Sequence, residues 1–189
     1  RKLKYKLHSC QNRHRHASHL LGLYPGNAIT DKTPELIEAC KVSLLDRGFG
    51  QKSGANGSGW GKANKVNLWA RAKDGNRAYS MLRELINKNI APNLWDFHPP
   101  YQMDGNCGYT SGVCEMLCYS SDDIIELLPA LPEEWKNGSV KGLCARGGYS
   151  LDFTWENGEI KSLSVYSSCG KKTARIKTGD EIKTVKTVG

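Results

Sequence analysis

The apolar residues of this chain change period near Ile124, and that change divides what the sequence can fold into. Tyr149, Leu151, Phe153 and Trp155 alternate with Ser150, Asp152, Thr154 and Glu156. This is the pattern of a strand with one face on a core and one in water. Asn157-Gly158 follows directly and suits a two-residue type I′ hairpin turn, with a return strand expected over 160–166. Further strands are expected over 124–128, stopped by Pro129 and Pro132, and over 140–144. Edge strands are expected over 173–177 and 182–188. Ahead of Ile124 the spacing is helical. Thr33 suits an N-cap, Pro34 the first helical position and Glu35 the first turn. Leu36, Ile37, Ala39, Cys40, Leu44 and Leu45 make an apolar stripe that Gly48 ends. Helices are expected over 62–73, over 76–89 and from 109 to about 119. Helices segregated from strands give an α+β chain, with residues 1–121 helical and 122–189 a small antiparallel β-domain. Four or five helices make a lopsided domain, so they are expected to belong to a larger helical assembly.

Composition narrows the function classes. The net charge is +8 over 189 residues, but the lysines are scattered and no nucleic-acid-binding motif accompanies them, so no specific nucleic acid is expected as a partner. No apolar run approaches the ~20 residues of a membrane span. The basic start, Arg1-Lys2-Leu3-Lys4, has no apolar stretch after it and is not a signal peptide. The chain opens on arginine, and a longer parent protein is expected. Seven cysteines with no C-x-x-C are read as buried free thiols, which favours a reducing compartment unless a signal peptide lies upstream.

Chemistry concentrates in three stretches. Residues 98–108 hold His98, Gln102, Asp104 and Asn106 among two prolines and two glycines, and read as a shaped loop feeding a helix. The plain alternative is a solvated connection between helices. Residues 8–27 hold four of the five histidines, with no acidic residue nearby to complete a hydrolytic zinc motif. These imidazoles are read as lining a polar pocket, and no metal or cofactor is expected. Residues 48–61 are glycine-rich without the G-K-[ST] of a phosphate-binding loop. There Trp60 is placed either to stack on a sugar or to plug a core.

Several stretches in one order carry a resemblance. They are His14-Arg15-His16-Ala17-Ser18-His19, Gly22-Leu23-Tyr24-Pro25-Gly26, Gly59-Trp60, Val66-Asn67-Leu68-Trp69-Ala70-Arg71, Asp74-Gly75-Asn76-Arg77-Ala78-Tyr79, His98-Pro99-Pro100-Tyr101-Gln102-Met103-Asp104-Gly105-Asn106, Leu127-Leu128-Pro129-Ala130-Leu131-Pro132 and Val140-Lys141-Gly142-Leu143. With these the chain resembles the inverting α-L-fucosidases of glycoside hydrolase family 95.

The resemblance implies that residues 1–121 are the closing part of an (α/α)6 toroid. It implies hydrolysis of terminal α-linked L-fucose, or a related sugar such as L-galactose, from a fucosylated glycan. In that family a glutamate is the acid, and an aspartate backs two asparagines that hold the water. Asp104 matches that aspartate and His98 a sugar-contacting histidine. His14, His16, Trp60, Gln102 and Asn106 are expected near the pocket by looser inference. The glutamate and asparagines lie upstream of Arg1 in the family, so a missing N-terminal part is the expected partner. Cys107 and Tyr109 stand where the family more often has Phe and Gly. Three other readings stay open. One is a noncatalytic carbohydrate-binding or scaffold fragment. Another is a related toroid enzyme such as a disaccharide phosphorylase, for which no phosphate cluster is evident. Nucleic-acid binding is the most distant.

Overall fold

The computed structural model describes residues 16–48, 59–98, 100–121 and 123–188. Among the described residues four helices come first: α1 (Pro34–Arg47), α2 (Gly59–Arg71), α3 (Gly75–Asn89) and α4 (Met103–Leu117). Seven strands follow: β1 (Cys118–Ser120), β2 (Ile125–Leu127), β3 (Gly138–Ala145), β4 (Tyr149–Glu156), β5 (Glu159–Ser167), β6 (Thr173–Thr178) and β7 (Glu181–Lys186). Helices then sheets is the α+β order that the change of period predicts.

Local signals explain most helix bounds. Pro34 opens α1 and Gly48, at φ 63°, ends it. Thr33 does not cap α1 with its side chain; its hydroxyl instead accepts from the Thr30 amide at 3.1 Å. Asp74 caps α3 by accepting from Arg77 N at 3.0 Å.

Helix α2 is the centre of the helical half. It is buried nearly all round, from Gly59 and Gly61 through Val66, Leu68 and Trp69 to Ala70. Helix α4 lies against it along a stripe of glycines. A Cβ on Gly108 would fall 2.8 Å from Ala63 Cβ, and one on Gly112 2.5 Å from Val66 Cγ1. This corrects the expectation of a loop through residue 108. Residues 103–108 are helical, because Gly105 and Gly108 admit a neighbouring element rather than loosening the backbone. At its other end α4 stops at Leu117, and Cys118–Ser120 pairs as strand β1 where helix was expected.

The strands form two sheets, ordered β1-β2-β6-β7 and β3-β4-β5. Asn157 at φ 52° and Gly158 at φ 78° make the β4–β5 turn, both in the region that a type I′ turn needs. Every strand pairing is antiparallel except β2 with β6, which run parallel. Strand β6 is therefore interior rather than an edge, because the chain crosses through β3–β5 before returning beside β2. Leu151, Phe153, Trp155 and Val165 build the sheet core with Ile125, Leu127 and Ile176.

The halves meet through aromatic and charged contacts. Trp135 meets Tyr79 edge-on, with ring centroids 5.7 Å apart, and its carbonyl accepts from Trp155 Nε1 at 2.8 Å. Beside it a four-charge cluster links Asp31 and Glu126 with Lys73 and Lys177 over 2.6–3.1 Å.

The six described cysteines are unbridged, but burial differs from expectation. Cys40 is buried and Cys118 partly so, its thiol pushed up to about 12 chiefly by desolvation. Cys107, Cys114 and Cys144 are exposed on outward positions of α4 and β3, and Cys169 in the turn after β5.

Candidate active site

The N-terminal ends of α2 and α4 lie together, and the segment joining α3 to α4 wraps both. That segment is held by its own polar groups. Ile90 bridges Asp96 as an isolated antiparallel pair. Asp96 donates its amide to Asn106 Oδ1 at 2.9 Å and accepts from Gln102 N at 2.9 Å. Asn106 Nδ2 donates to Leu94 O at 2.8 Å, so both ends of that carboxamide brace the loop. Gln102 Oε1 accepts from Trp60 N at 3.1 Å, tying the start of α2 to the start of α4. The Trp60 ring lies over Gly108, 3.4 Å from where a Cβ would stand. Below, buried Lys62 donates to Asn89 Oδ1 at 2.8 Å and pairs with Glu84 at 3.6 Å. Deeper in the same contact, Asn67 Nδ2 donates to Gly108 O at 2.8 Å and to Ala63 O at 2.9 Å.

On this braced frame His98 and Asp104 are exposed. Asp104 is in the first turn of α4, where the helix dipole favours a negative charge. Among the described residues neither side chain makes a hydrogen bond or an ion pair. Around them Trp95, Phe97, Tyr101 and Met103 are exposed apolar residues, and the Trp95 and Tyr101 rings meet tilted at 58° with centroids 4.7 Å apart. Asp104 and His98 are thus exposed polar groups beside an exposed aromatic surface.

Of the expected site residues, the structure gathers Trp60, Gln102 and Asn106 on the frame that carries His98 and Asp104. His14 lies outside the described residues. His16 precedes a short 3₁₀ turn (Ser18–Leu20), and its carbonyl accepts from Arg47 Nη1 at 2.8 Å. His19 Nε2 meets Ser43 Oγ at 2.7 Å; desolvation, then the Arg47 charge, hold its imidazole below the usual range. Among the described residues no group of three or more His, Cys, Asp or Glu is placed to hold a metal ion.

One residue escaped the sequence reading. Asp96 is fully buried, and neither carboxylate oxygen has a hydrogen-bond partner among the described residues. Burial raises its pKa; the charges of His98 and Lys62 oppose the rise and that of Asp104 adds to it. The available signal was an acid inside the apolar run Leu94-Trp95-Asp96-Phe97.

Comparison with known proteins covers the whole of this architecture. The model of the glycosyl hydrolase family 95 catalytic domain matches residues 4–117. That of the glycoside hydrolase family 95 C-terminal domain matches residues 119–188. Alpha-L-fucosidase 2 of Arabidopsis thaliana is 38% identical over 167 residues, 82% of this chain and 19% of that protein. Probable alpha-fucosidase A of Aspergillus oryzae is 35% identical over 168 residues, 77% of this chain and 23% of its own length. Its namesake in Aspergillus niger is 33% identical over 184 residues, 87% and 23% respectively. The chain thus spans about a fifth of the length of these curated relatives. With one family model on the helices and the other on the sheets, the chain belongs to glycoside hydrolase family 95.

Proposed function

We propose that this chain supplies the water-activating wall of an inverting α-L-fucosidase. The observation that carries the reading is the exposure of Asp104 and His98 on a turn whose other polar groups are consumed in bracing it. They are the groups left to meet a ligand. An inverting hydrolase needs an acid on the leaving oxygen and a base-assisted water on the opposite ring face, with the two groups ~6.5–9.5 Å apart. Asp104 stands on the water side. Ionised, it accepts a proton or a hydrogen bond from the groups that hold the water, and His98 binds a sugar hydroxyl. The acid and the remaining water-holding groups come from the N-terminal part of the protein. In this reading the helices of residues 1–121 close an (α/α)6 toroid, and residues 122–189 form the domain packed beneath it. The substrate is a glycan ending in α-linked L-fucose or a closely related sugar.

The test uses a fucosidase-length protein carrying this chain, with an aryl α-L-fucoside as substrate. We expect turnover with inversion at the anomeric carbon, and none from residues 1–189 alone. Turnover by residues 1–189 alone that Asp104→Asn abolishes would place the acid within this chain and overturn the division of roles. Absence of hydrolysis, with retained glycan binding by the long protein, favours the noncatalytic carbohydrate-binding reading.

A further inference from the structure

Asp96 takes no part in the chemistry proposed above, yet it is the least exposed of the described carboxylates, and neither of its oxygens has a hydrogen-bond partner among the described residues. A carboxyl group in that state lowers stability, and an apolar or amide side chain would fill the space with less loss. The backbone around it is shaped to admit it. A Cβ on Gly59, the first residue of α2, would fall 1.3 Å from Asp96 Oδ2. A Cβ on Gly105, in the first turn of α4, would fall 1.9 Å from the same atom. The carboxyl group therefore fills a notch between the N-terminal ends of two long helices. Its main chain is held as closely, through Asn106 and Gln102. The charged and titratable groups that face it are Lys62 from α2, Asp104 from α4 and His98 from its own loop. Helix α3 directs Asn89 and Glu84 at Lys62.

We infer that Asp96 is a positioning residue of the proposed active site, wedged between Gly59 and Gly105 so that the turn carrying Asp104 and the loop carrying His98 are held against the start of α2. The inference rests on the roles given above to Asp104 and His98. The charge matters as well as the volume. Lys62, His98 and the positive ends of the α2 and α4 dipoles all attract a carboxylate at this point, which draws three separate elements together. An apolar plug would fill the notch without that pull. Asp104 is the residue immediately before Gly105, so any movement of the notch moves it directly. A misplacement of about 1 Å at a catalytic group costs on the order of 100-fold in rate.

A residue retained for position at a cost to stability has a signature that an ordinary core residue lacks. Asp96→Asn preserves the volume and removes the charge. In the fucosidase-length protein, with an aryl α-L-fucoside, we expect kcat to fall at least ~10-fold with KM within about threefold. We expect Tm at pH 7 to hold or rise, because a charged group is no longer buried. The raised pKa of Asp96 fixes the sign of the pH dependence. The folded parent keeps its proton while the unfolded chain ionises near ~3.9, so the parent loses stability as the pH climbs from there through the folded-state value. The Tm advantage of the Asn variant therefore grows above pH ~4 and then levels. A loss of kcat smaller than ~10-fold, or a lowered Tm, overturns the inference; the latter marks Asp96 as simple packing. Failure of the parent itself to hydrolyse the fucoside would instead remove the functional reading on which the inference stands.

Discussion

The helical half and the sheet half of this chain use glycine and buried charge for different ends. In the helices, Gly59, Gly105, Gly108 and Gly112 make room: a Cβ on any of them would fall within 2.8 Å of a neighbouring atom. In the sheets, Gly158, Gly170 and Gly179 sit in turns and Gly142 at the irregularity in β3; each has a φ between 57° and 78°, and a Cβ on any of them would meet no atom closer than 3.8 Å, whereas Gly138, under the Trp155 ring, and Gly147 and Gly148, in the β3–β4 turn, are the crowded ones. The buried polar side chains among the described residues divide the same way. Lys62, Lys65, Asn67, Asn89 and Asp96 belong to the helical half, and only Glu126 to the sheets, where two lysines pair with it. One region buries charged side chains among close backbones, a pattern that recurs at active sites. The other follows the rules of a self-sufficient fold.

The sharpest way to break this contrast is by activity. In the fucosidase-length protein, Asp104→Asn should lower kcat at least ~100-fold with an unchanged circular dichroism spectrum. Ser162→Ala, which removes a 2.7 Å hydroxyl contact to Thr154 on the outer face of β4–β5, should leave kcat within about threefold. Comparable losses from the two would erase the functional difference between the halves.

Stability sharpens it next. Gly105→Ala forces a methyl group onto Asp96 and should cost about 3 kcal/mol in urea unfolding, the upper range for an overpacked site. Gly158→Ala meets only Leu131 at 3.8 Å and pays mainly for its left-handed backbone, about 1–2 kcal/mol. The reverse order would mean that the α2–α4 contact yields more easily than the hairpin.

Buried Lys65 gives a pH test. Desolvation, then the charges of Arg47 and Lys62, bring its pKa down to about 8. The unfolded chain holds that proton to ~10.4, so the buried cation weakens the fold below pH 8 and the penalty is relieved as the pH rises from there towards 10.4. Lys65→Met should therefore stabilise by on the order of 1 kcal/mol at pH 7, net of the lost 3.0 Å bond to Gly48 O, and the gain should shrink in alkali. A gain that persists at high pH would point to packing rather than charge.

The smallest expected effect lies at the junction. Desolvation at Asp31 is outweighed by its hydrogen bonds to Lys177 and Lys73, which hold its carboxyl below the usual range. Its stabilisation is present above the unfolded value of ~3.9 and is lost as the pH falls through the folded one. Asp31 is half exposed, so Asp31→Asn should cost only a few tenths of a kcal/mol at pH 7, fading in acid. Thermal melts at both pH values check it.

Much of this contrast is legible in the amino-acid order. The alternation from Tyr149 to Trp155 and the Asn157-Gly158 pair specify β4, its turn and β5 by local rules alone. Pro34 marks the start of α1 in the same way. What failed was non-local. Gly105 and Gly108 look like breakers until Asp96, Ala63 and Trp60 are seen occupying their open sides. The interior place of β6 follows from its pairing with β2, some fifty residues earlier, which no local pattern encodes. His98 and Asp104 were visible as a motif. Asp96 was not, because a single Asp between aromatic residues reads the same whether solvated or sealed in.

The four-charge cluster has a consequence for the order of events during synthesis. Asp31, Lys73 and Glu126 leave the ribosome first, and Lys177 arrives 146 residues after Asp31, on the strand that also gives β2 its second neighbour. Until then buried Glu126 has a single cation and β2 a bare edge. Contacts across such separations form late. The charge cluster and the second edge of β2 are therefore completed only once β6 has been translated.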